Sequence, residues 1–338
     1  MELYVETEGT KISKLGEMIE IQNSEGVRKV SINKITTIML SNGVSITTDV
    51  IRMALEKDVD IIFLDYLEKP IGRVWNNKFG SSAKIRISQI EFFNNKKGKM
   101  ASQKWILNKL VMQKKHIDKL LSRRKKIDEF EDVLERYDKI MKELEEKELN
   151  CVIDSNFFLL REAHATRIYY KILAEFIPKE YKFEKRTHKD SKDEFNNMLN
   201  YCFGILYSKI EKSLIIAGLD PFIGGIHSTF YNNKSLVYDF IENFRFLATE
   251  AVFSYFTRKL INKSYFEILD DKFLLSKEGK KFISKIFNEK MQQKVNYKNK
   301  NVSYESLIQW KAYDLAKEVT YIWFIGLFMI LKTIETEQ

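Results

Sequence analysis

Only three prolines occur in 338 residues, so long helices are permitted over most of the chain. Two cysteines, Cys151 and Cys202, exclude a disulfide framework and any Cys-rich metal motif. Both stand among apolar neighbours and read as small core residues, which suits a reducing cytoplasm. The apolar run Tyr321 to Leu331 is far shorter than the ~20 residues a membrane span needs. It reads as a buried or interface helix. The opening Met1-Glu2-Leu3-Tyr4-Val5-Glu6 is acidic where a signal peptide would be basic. A cytoplasmic location with no membrane association is therefore expected. The sequence also lacks an internal repeat, a Walker loop, a G-x-G-x-x-G turn and a Ser-His-Asp signature.

What the chain does carry is apolar bulk and positive charge. Hydrophobic residues make up 44%, enough for a substantial core, and the length favours two domains. The formal net charge of +9 favours a polyanionic partner, nucleic acid first.

Residues 1–75 read as short strands separated by turns, with one helix starting near Thr47 or Thr48. Val27 to Ile32 alternates like a half-buried strand, and Asp60 to Leu64 is apolar throughout like a fully buried one. This part reads as a dimerisation or scaffold domain. Residues 76–88, polar and carrying Gly80, Ser81 and Ser82, read as a linker. Residues 89–338 read as helical, which makes the fold class α+β: a small β-rich domain followed by a larger all-α catalytic domain.

Within the helical part, Lys96 to Lys126 is strongly basic and includes Lys109, Lys114, Lys115, Arg123 and Arg124 on a helix striped by Trp105, Ile106, Leu110 and Ile117. Asp128 to Glu148 is acidic. The two runs fit either paired helices of opposite charge or a basic face lying on DNA. A helix capped by Asp154 or Ser155 carries Glu162 beside Ala163 and Ala165. Small residues there let another helix approach and bury the carboxylate, which then needs a partner. Phe195 to Ala217 reads as a long helix ended by Gly218. Segment 273–290 reads as a helix, and Lys294 to Ser303 as a polar loop.

The chemistry-bearing stretch is Gly218 to Arg245, G-L-D-P-F-I-G-G-I-H-S-T-F-Y-N-N-K-S-L-V-Y-D-F-I-E-N-F-R. His227 follows the Gly224-Gly225 pair, and a helix starting near Ser235 and running through Leu260 carries Asp239 and Glu242 three apart on one face. Imidazole and carboxylate without thiolate suit Mg²⁺ or Mn²⁺. Of the other histidines, His116 reads as solvated, His164 points away from Glu162, and His188 lies in a charged loop.

In order along the chain, several of these segments resemble the CRISPR-associated spacer-acquisition endonuclease/integrase, the "Cas-one" family. They are Ile35 to Asp65, Leu159 to Tyr170 (L-L-R-E-A-H-A-T-R-I-Y-Y), Asp193 to Tyr207, A-G-L-D-P-F-I-G-G-I-H with S-L-V-Y-D-F-I-E-N-F-R, and Leu275 to Phe282. The resemblance implies a homodimer with metal ligands Glu162, His227 and Glu242, with Asp239 a further catalytic acid. Orienting the imidazole, holding a second metal and moving a proton all remain open for Asp239. The resemblance also implies that the 3′-hydroxyl of spacer DNA attacks the CRISPR repeat, on double-stranded and branched DNA, with a small ferredoxin-fold partner subunit. Arg186 and Arg245 are candidate phosphate contacts, weighed against structural ion pairs. The family often has Gly where this chain has Ala163, and Pro where it has Glu194; both changes touch packing and leave the ligand-type residues in place. Two alternatives stand beside this reading: a metal-dependent nuclease of DNA repair, and a non-catalytic helical DNA-binding scaffold.

Overall fold

The computed structural model describes residues 2–35, 37–57, 59–64, 70–74, 81–188, 191–227, 233–269 and 272–336, with the backbone alone at 2, 60, 70, 81–83, 269, 272 and from 321 onward. The N-terminal part holds β1 (Glu2–Val5), β2 (Lys11–Leu15), β3 (Met18–Asn23), β4 (Gly26–Ser31), β5 (Thr37–Leu40), β6 (Ser45–Ile46), α1 (Thr48–Glu56), β7 (Asp60–Leu64) and β8 (Pro70–Val74). They form two four-stranded sheets, ordered β1-β5-β7-β8 and β4-β3-β2-β6. Tight glycine turns make the β2-β3-β4 meander possible: Gly16 sits at φ 60°, a left-handed conformation that glycine adopts without a Cβ clash.

Alternating side chains that are buried on both faces explain why β7 reads as apolar throughout and why β5 is buried along its length. Ile38, Leu40 and Ile61 face the β domain's own core with Ile12, Ile19 and Val50. Met39, Ile62 and Leu64 face the opposite way, onto Ile215 and Ile216 of the helical domain. The sheet is thus covered on both sides, and its outer layer is the joint between domains. Strand β4 departs from expectation: only Val30 is buried along it, and Val27 is 57% exposed. It is a sheet edge, so alternation in its sequence does not translate into burial.

The helical part comprises α2 (Ser81–Asn94), α3 (Lys96–Arg124), α4 (Glu131–Leu149), α5 (Ser155–Ala174), α6 (Glu194–Ile216), α7 (Ser235–Phe240), α8 (Arg245–Thr257), the hairpin β9 (Phe266–Leu269) and β10 (Lys272–Leu275), α9 (Lys277–Gln292), the hairpin β11 (Lys294–Tyr297) and β12 (Lys300–Ser303), and α10 (Tyr304–Thr336). Its caps follow from sequence. Asp154 accepts a hydrogen bond from Phe157 N at the start of α5, and Asp193 accepts one from Asn196 N at the start of α6. Gly218, at φ 82°, closes α6 through hydrogen bonds from Gly218 N to Ile215 O and from Leu219 N to Leu214 O.

Four expectations change. Residues 81–88 of the supposed linker are helical: residues 75–80 lie outside the described ones, but Ser81 onward belongs to α2. The helix from Ser235 breaks into α7, a 3₁₀ turn at Ile241–Asn243, and α8. The segments 266–275 and 294–303 are hairpins rather than helix start and loop. Cys202 is buried as expected, but Cys151 is only half-buried at a turn with φ 54°.

Candidate active site

The buried face of α3 is built from residues three and four apart: Gln103, Ile106, Lys109 with Leu110, Gln113 and Ile117. A lysine on that face cannot reach water and needs carboxylates. It finds Glu162 of α5 and Glu242 of the 3₁₀ turn. Lys109 Nζ donates to Glu162 Oε1 and lies 2.8 Å from Glu242 Oε2. Arg245, three residues after Glu242, pairs with the other oxygen, Nε to Oε1, at 2.6 Å. The Lys109, Glu162 and Glu242 side chains are 8%, 17% and 5% exposed.

Burial alone would raise the Glu242 carboxyl, but Arg245 and Lys109 outweigh it and hold the group at about 2. Burial works to lower the Lys109 ammonium, yet Glu242 and Glu162 outweigh it and keep the amine charged above its ordinary range. Glu162 Oε1 also accepts from Thr166 Oγ1 at 2.8 Å, and Gln113 Nε2 donates to that hydroxyl. Arg245 is steadied by the Tyr207 hydroxyl at 2.8 Å and stacks over Phe203, with the Arg186 guanidinium also over that ring.

His227 is placed by its loop. Gln89 of α2 accepts from Asp220 N at 2.9 Å and donates to Asp220 O and Ile223 O, both at 2.8 Å. Asp239 of α7, 2% exposed, accepts from Gly225 N, Ile226 N and His227 N at 2.6, 3.1 and 3.1 Å. A Cβ on Gly225 would lie 2.5 Å from Ser102 Oγ of α3, and one on Gly224 would lie 2.7 Å from Leu236 N. The glycine pair therefore exists for close approach. Asp239 Oδ1 also lies 2.6 Å from His227 Nδ1. A carboxylate accepts, so Nδ1 carries a proton, and in the neutral imidazole the lone pair then lies on Nε2. Asp239 thus stands against the imidazole where it could orient it, one of the three roles left open for it.

Lys109, Glu162, Arg186, His227, Glu242 and Arg245 line one cavity of about 610 Å³. His188 lines it too, its imidazole held below the ordinary range by burial and by Arg186, Arg245 and Lys109. The sequence places His188 only in a charged loop. Glu162, His227 and Glu242 thus share a cavity although 80 residues separate the first from the last, from 162 to 242.

Among the described residues no three His, Cys, Asp or Glu side chains stand close enough to form a ready metal cage. The donor chemistry still fits a hard divalent cation. Glu242 Oε2 is buried, and among the described residues the group facing it is the Lys109 ammonium at 2.8 Å, a cation standing where a metal ion would. Glu162, Glu242 and His227 Nε2 would hold the ion once that ammonium moves.

The remaining candidates sort differently. Arg245 is bound into the Glu242 pair, and Arg186 into α6 through Asn196 Oδ1 and Asn200 Oδ1 at 3.0 and 2.6 Å. Both line the cavity while serving as structural anchors. Lys114 pairs with Asp118 and Asp138, which joins α3 to the acidic α4. Lys115 is exposed. Arg123 and Arg124 line a different cavity, with Arg258 and Lys290. His116 is not solvated: its Nδ1 meets the Tyr169 hydroxyl at 2.7 Å and its ring packs edge-on against Phe253. His164 is exposed. The residue that sequence reading missed is Lys109, counted with the basic run. The signal was its place three after Ile106 and four before Gln113, on the buried stripe.

Fold and cavity together define a β domain joined to a helical domain whose centre holds a carboxylate–imidazole–cation cluster. The chain belongs to the Cas1 family: the family described as "CRISPR associated protein Cas1" matches residues 3–289. Among its relatives, "CRISPR-associated endonuclease Cas1 1" of Archaeoglobus fulgidus is 27% identical over 318 residues, covering 89% of this chain and 90% of that one. "CRISPR-associated protein Cas1 3" of Methanobrevibacter ruminantium is 29% identical over 267 residues, covering 78% and 80%. Among solved structures, a casposase bound to integration product superposes with TM-score 0.71 at 22% identity, covering 95% of each chain. A CAS1 protein from Thermotoga maritima superposes with TM-score 0.67 at 19% identity, covering 94% and 97%. These likenesses agree with the two-part α+β architecture. Among the described residues no helix is long and apolar enough to cross a membrane.

Proposed function

We propose that this chain is a divalent-metal-dependent DNA endonuclease and integrase of CRISPR adaptation, joining 3′-hydroxyl ends of spacer DNA into the CRISPR repeat. The observation that carries the reading is the meeting of Glu162, Glu242 and His227 in one cavity walled by Lys109, Arg186 and Arg245. Family membership and the printed names of relatives, endonucleases among them, support it. A casposase on its integration product and a Cas6-RT-Cas1–Cas2 complex share the fold, which supports DNA and a second subunit as partners. The chain would work as a homodimer in the cytoplasm.

The residues divide the work. Glu162, Glu242 and His227 Nε2 would hold Mg²⁺ or Mn²⁺, which when bound polarises a phosphodiester and stabilises the charge of in-line displacement. Asp239 fixes the imidazole tautomer and, through three backbone N–H groups, the loop that carries it. Arg186 and Arg245 present guanidinium charge to the phosphate oxygens. The net positive charge supplies sequence-independent backbone affinity.

The test is strand transfer and cleavage on branched and repeat-containing duplexes, with Mn²⁺, Mg²⁺ or EDTA, for wild type and His227→Ala. Joining of a 3′ end into the repeat that needs the cation and disappears in the variant is expected. Cleavage without joining would leave a plain repair-type nuclease. Binding without chemistry would leave a DNA-binding scaffold.

A further inference from the structure

Lys109 is where the geometry says most beyond that reading. Its ammonium stands between the two carboxylates that would hold the cation, and it is nearly out of reach of solvent. The local cluster of Glu162, Glu242, Lys109 and Arg245 is formally neutral as it stands. A divalent cation entering it cannot share the space between Glu162 and Glu242 with an ammonium. Once the amine has left, the same wall of the cavity holds the cation and two displaceable or fixed side-chain charges with only two carboxylates to balance them. That excess of positive charge is what a phosphodiester would neutralise.

We propose that Lys109 is a built-in competitor of the divalent cation: it occupies the Glu162–Glu242 pair in the metal-free protein, and its displacement couples metal binding to arrival of a DNA phosphate. The inference rests on the metal-site reading above and adds an order to it. Metal binds weakly to the protein alone and tightly when a phosphate in the cavity takes up the freed ammonium. Lys109 is thereby a positioning residue, acting through the carboxylates it holds. The tether suits the role. Lys109 sits on the long, well-packed α3, and its four-carbon stem lets the amine swing while the helix stays in place. An arginine there could not do the same, since a planar guanidinium would brace both carboxylates as a fixed fork.

The experiment is a Mn²⁺ titration of the full-length protein without DNA, read by calorimetry and by the electron-spin signal of free Mn²⁺. Wild type, Lys109→Met, Lys109→Arg and Glu162→Gln are compared, each first checked for a cooperative thermal transition. Removing one full charge a few ångströms from the ion should tighten Mn²⁺ binding by on the order of tenfold to a hundredfold in Lys109→Met. Lys109→Arg should bind no tighter than wild type, and Glu162→Gln should bind more weakly. Adding a branched DNA duplex should tighten Mn²⁺ binding of the wild type and do so less in Lys109→Met. Equal affinity in Lys109→Met and wild type overturns the proposal while leaving the metal site intact. Unchanged binding in Glu162→Gln overturns the metal site itself, and this inference with it. If Lys109→Met does not fold, the wild type decides alone. Lysine ¹⁵N NMR should show a protected ammonium resonance in the metal-free protein that disappears at saturating Mg²⁺, and its persistence overturns the proposal.

Discussion

Helix α3 carries the same device twice, five residues apart, in two different media. Lys109 and Lys114 each meet two carboxylates from other turns or helices. Around Lys109 the three charged side chains are 5–17% exposed; around Lys114 the lysine is 25% exposed and its partners 50% and 56%. Water screens the second cluster far more than the first. An exposed pair of this kind contributes roughly 0–1 kcal/mol, whereas deleting one partner of a buried pair costs about 3–5 kcal/mol because the other charge is stranded. The contrast teaches that a basic run in sequence hides two populations: Lys114 stitches helices together, and Lys109 poises a site.

The comparison breaks most visibly at Glu242. Glu242→Ala should lose strand transfer altogether and lower stability by about 3–5 kcal/mol, since Lys109 and Arg245 would both be left buried without their shared partner. Urea denaturation alongside the joining assay measures both. Asp239→Asn should come next. Its amide would turn two N–H donors toward a nest of N–H groups, a loss of about 1–3 kcal/mol, together with slower joining as the His227 loop loosens.

Acid sharpens the contrast. The Glu242 carboxyl is held at about 2 against an ordinary 4.5. A depressed folded value means stability that is present above 4.5 and lost as pH falls toward 2. Wild type should therefore show a steep loss of stability across that window, and Glu242→Gln a shallower one, in denaturant melts at stepped pH. The smallest effect belongs to Lys114→Met, which should change stability by less than about 1 kcal/mol. A loss comparable to that of Glu242→Ala would erase the distinction between the two clusters.

Much of this architecture was legible in the residues themselves. Short alternating runs between glycine turns specified the N-terminal strands, and Asp154 and Gly218 marked where helices begin and end. Glu162 could be singled out because a carboxylate beside Ala163 and Ala165 is costly to bury without a partner, His227 by its place behind two glycines, and Glu242 by its spacing of three from Asp239. Other features left weaker traces. The 3₁₀ break at Ile241–Asn243 keeps the apolar spacing of a continuous helix, so periodicity ran straight through it. The turn between β11 and β12 places Lys298 and Asn299 at φ 50° and 63°, and only the asparagine is a customary resident of that region. Helix α2 has its apolar residues spread around its circumference, so it showed no stripe. Lys109 escaped because side-chain charge outweighed position in reading α3.

The loop that presents His227 is tied down by hydrogen bonds from far along the chain. Gln89 reaches Asp220 and Ile223 across 131 and 134 positions, and Ser102 reaches Asp239 across 137. Local helices can form as soon as their own residues are available, whereas contacts this distant must first overcome the entropy of closing a long loop. On the ribosome, a chain that has not yet emerged past Asp239 can hold α3 and α5 side by side with its imidazole still unanchored. Catalytic competence would then be the last property this polypeptide acquires, well after it has become compact.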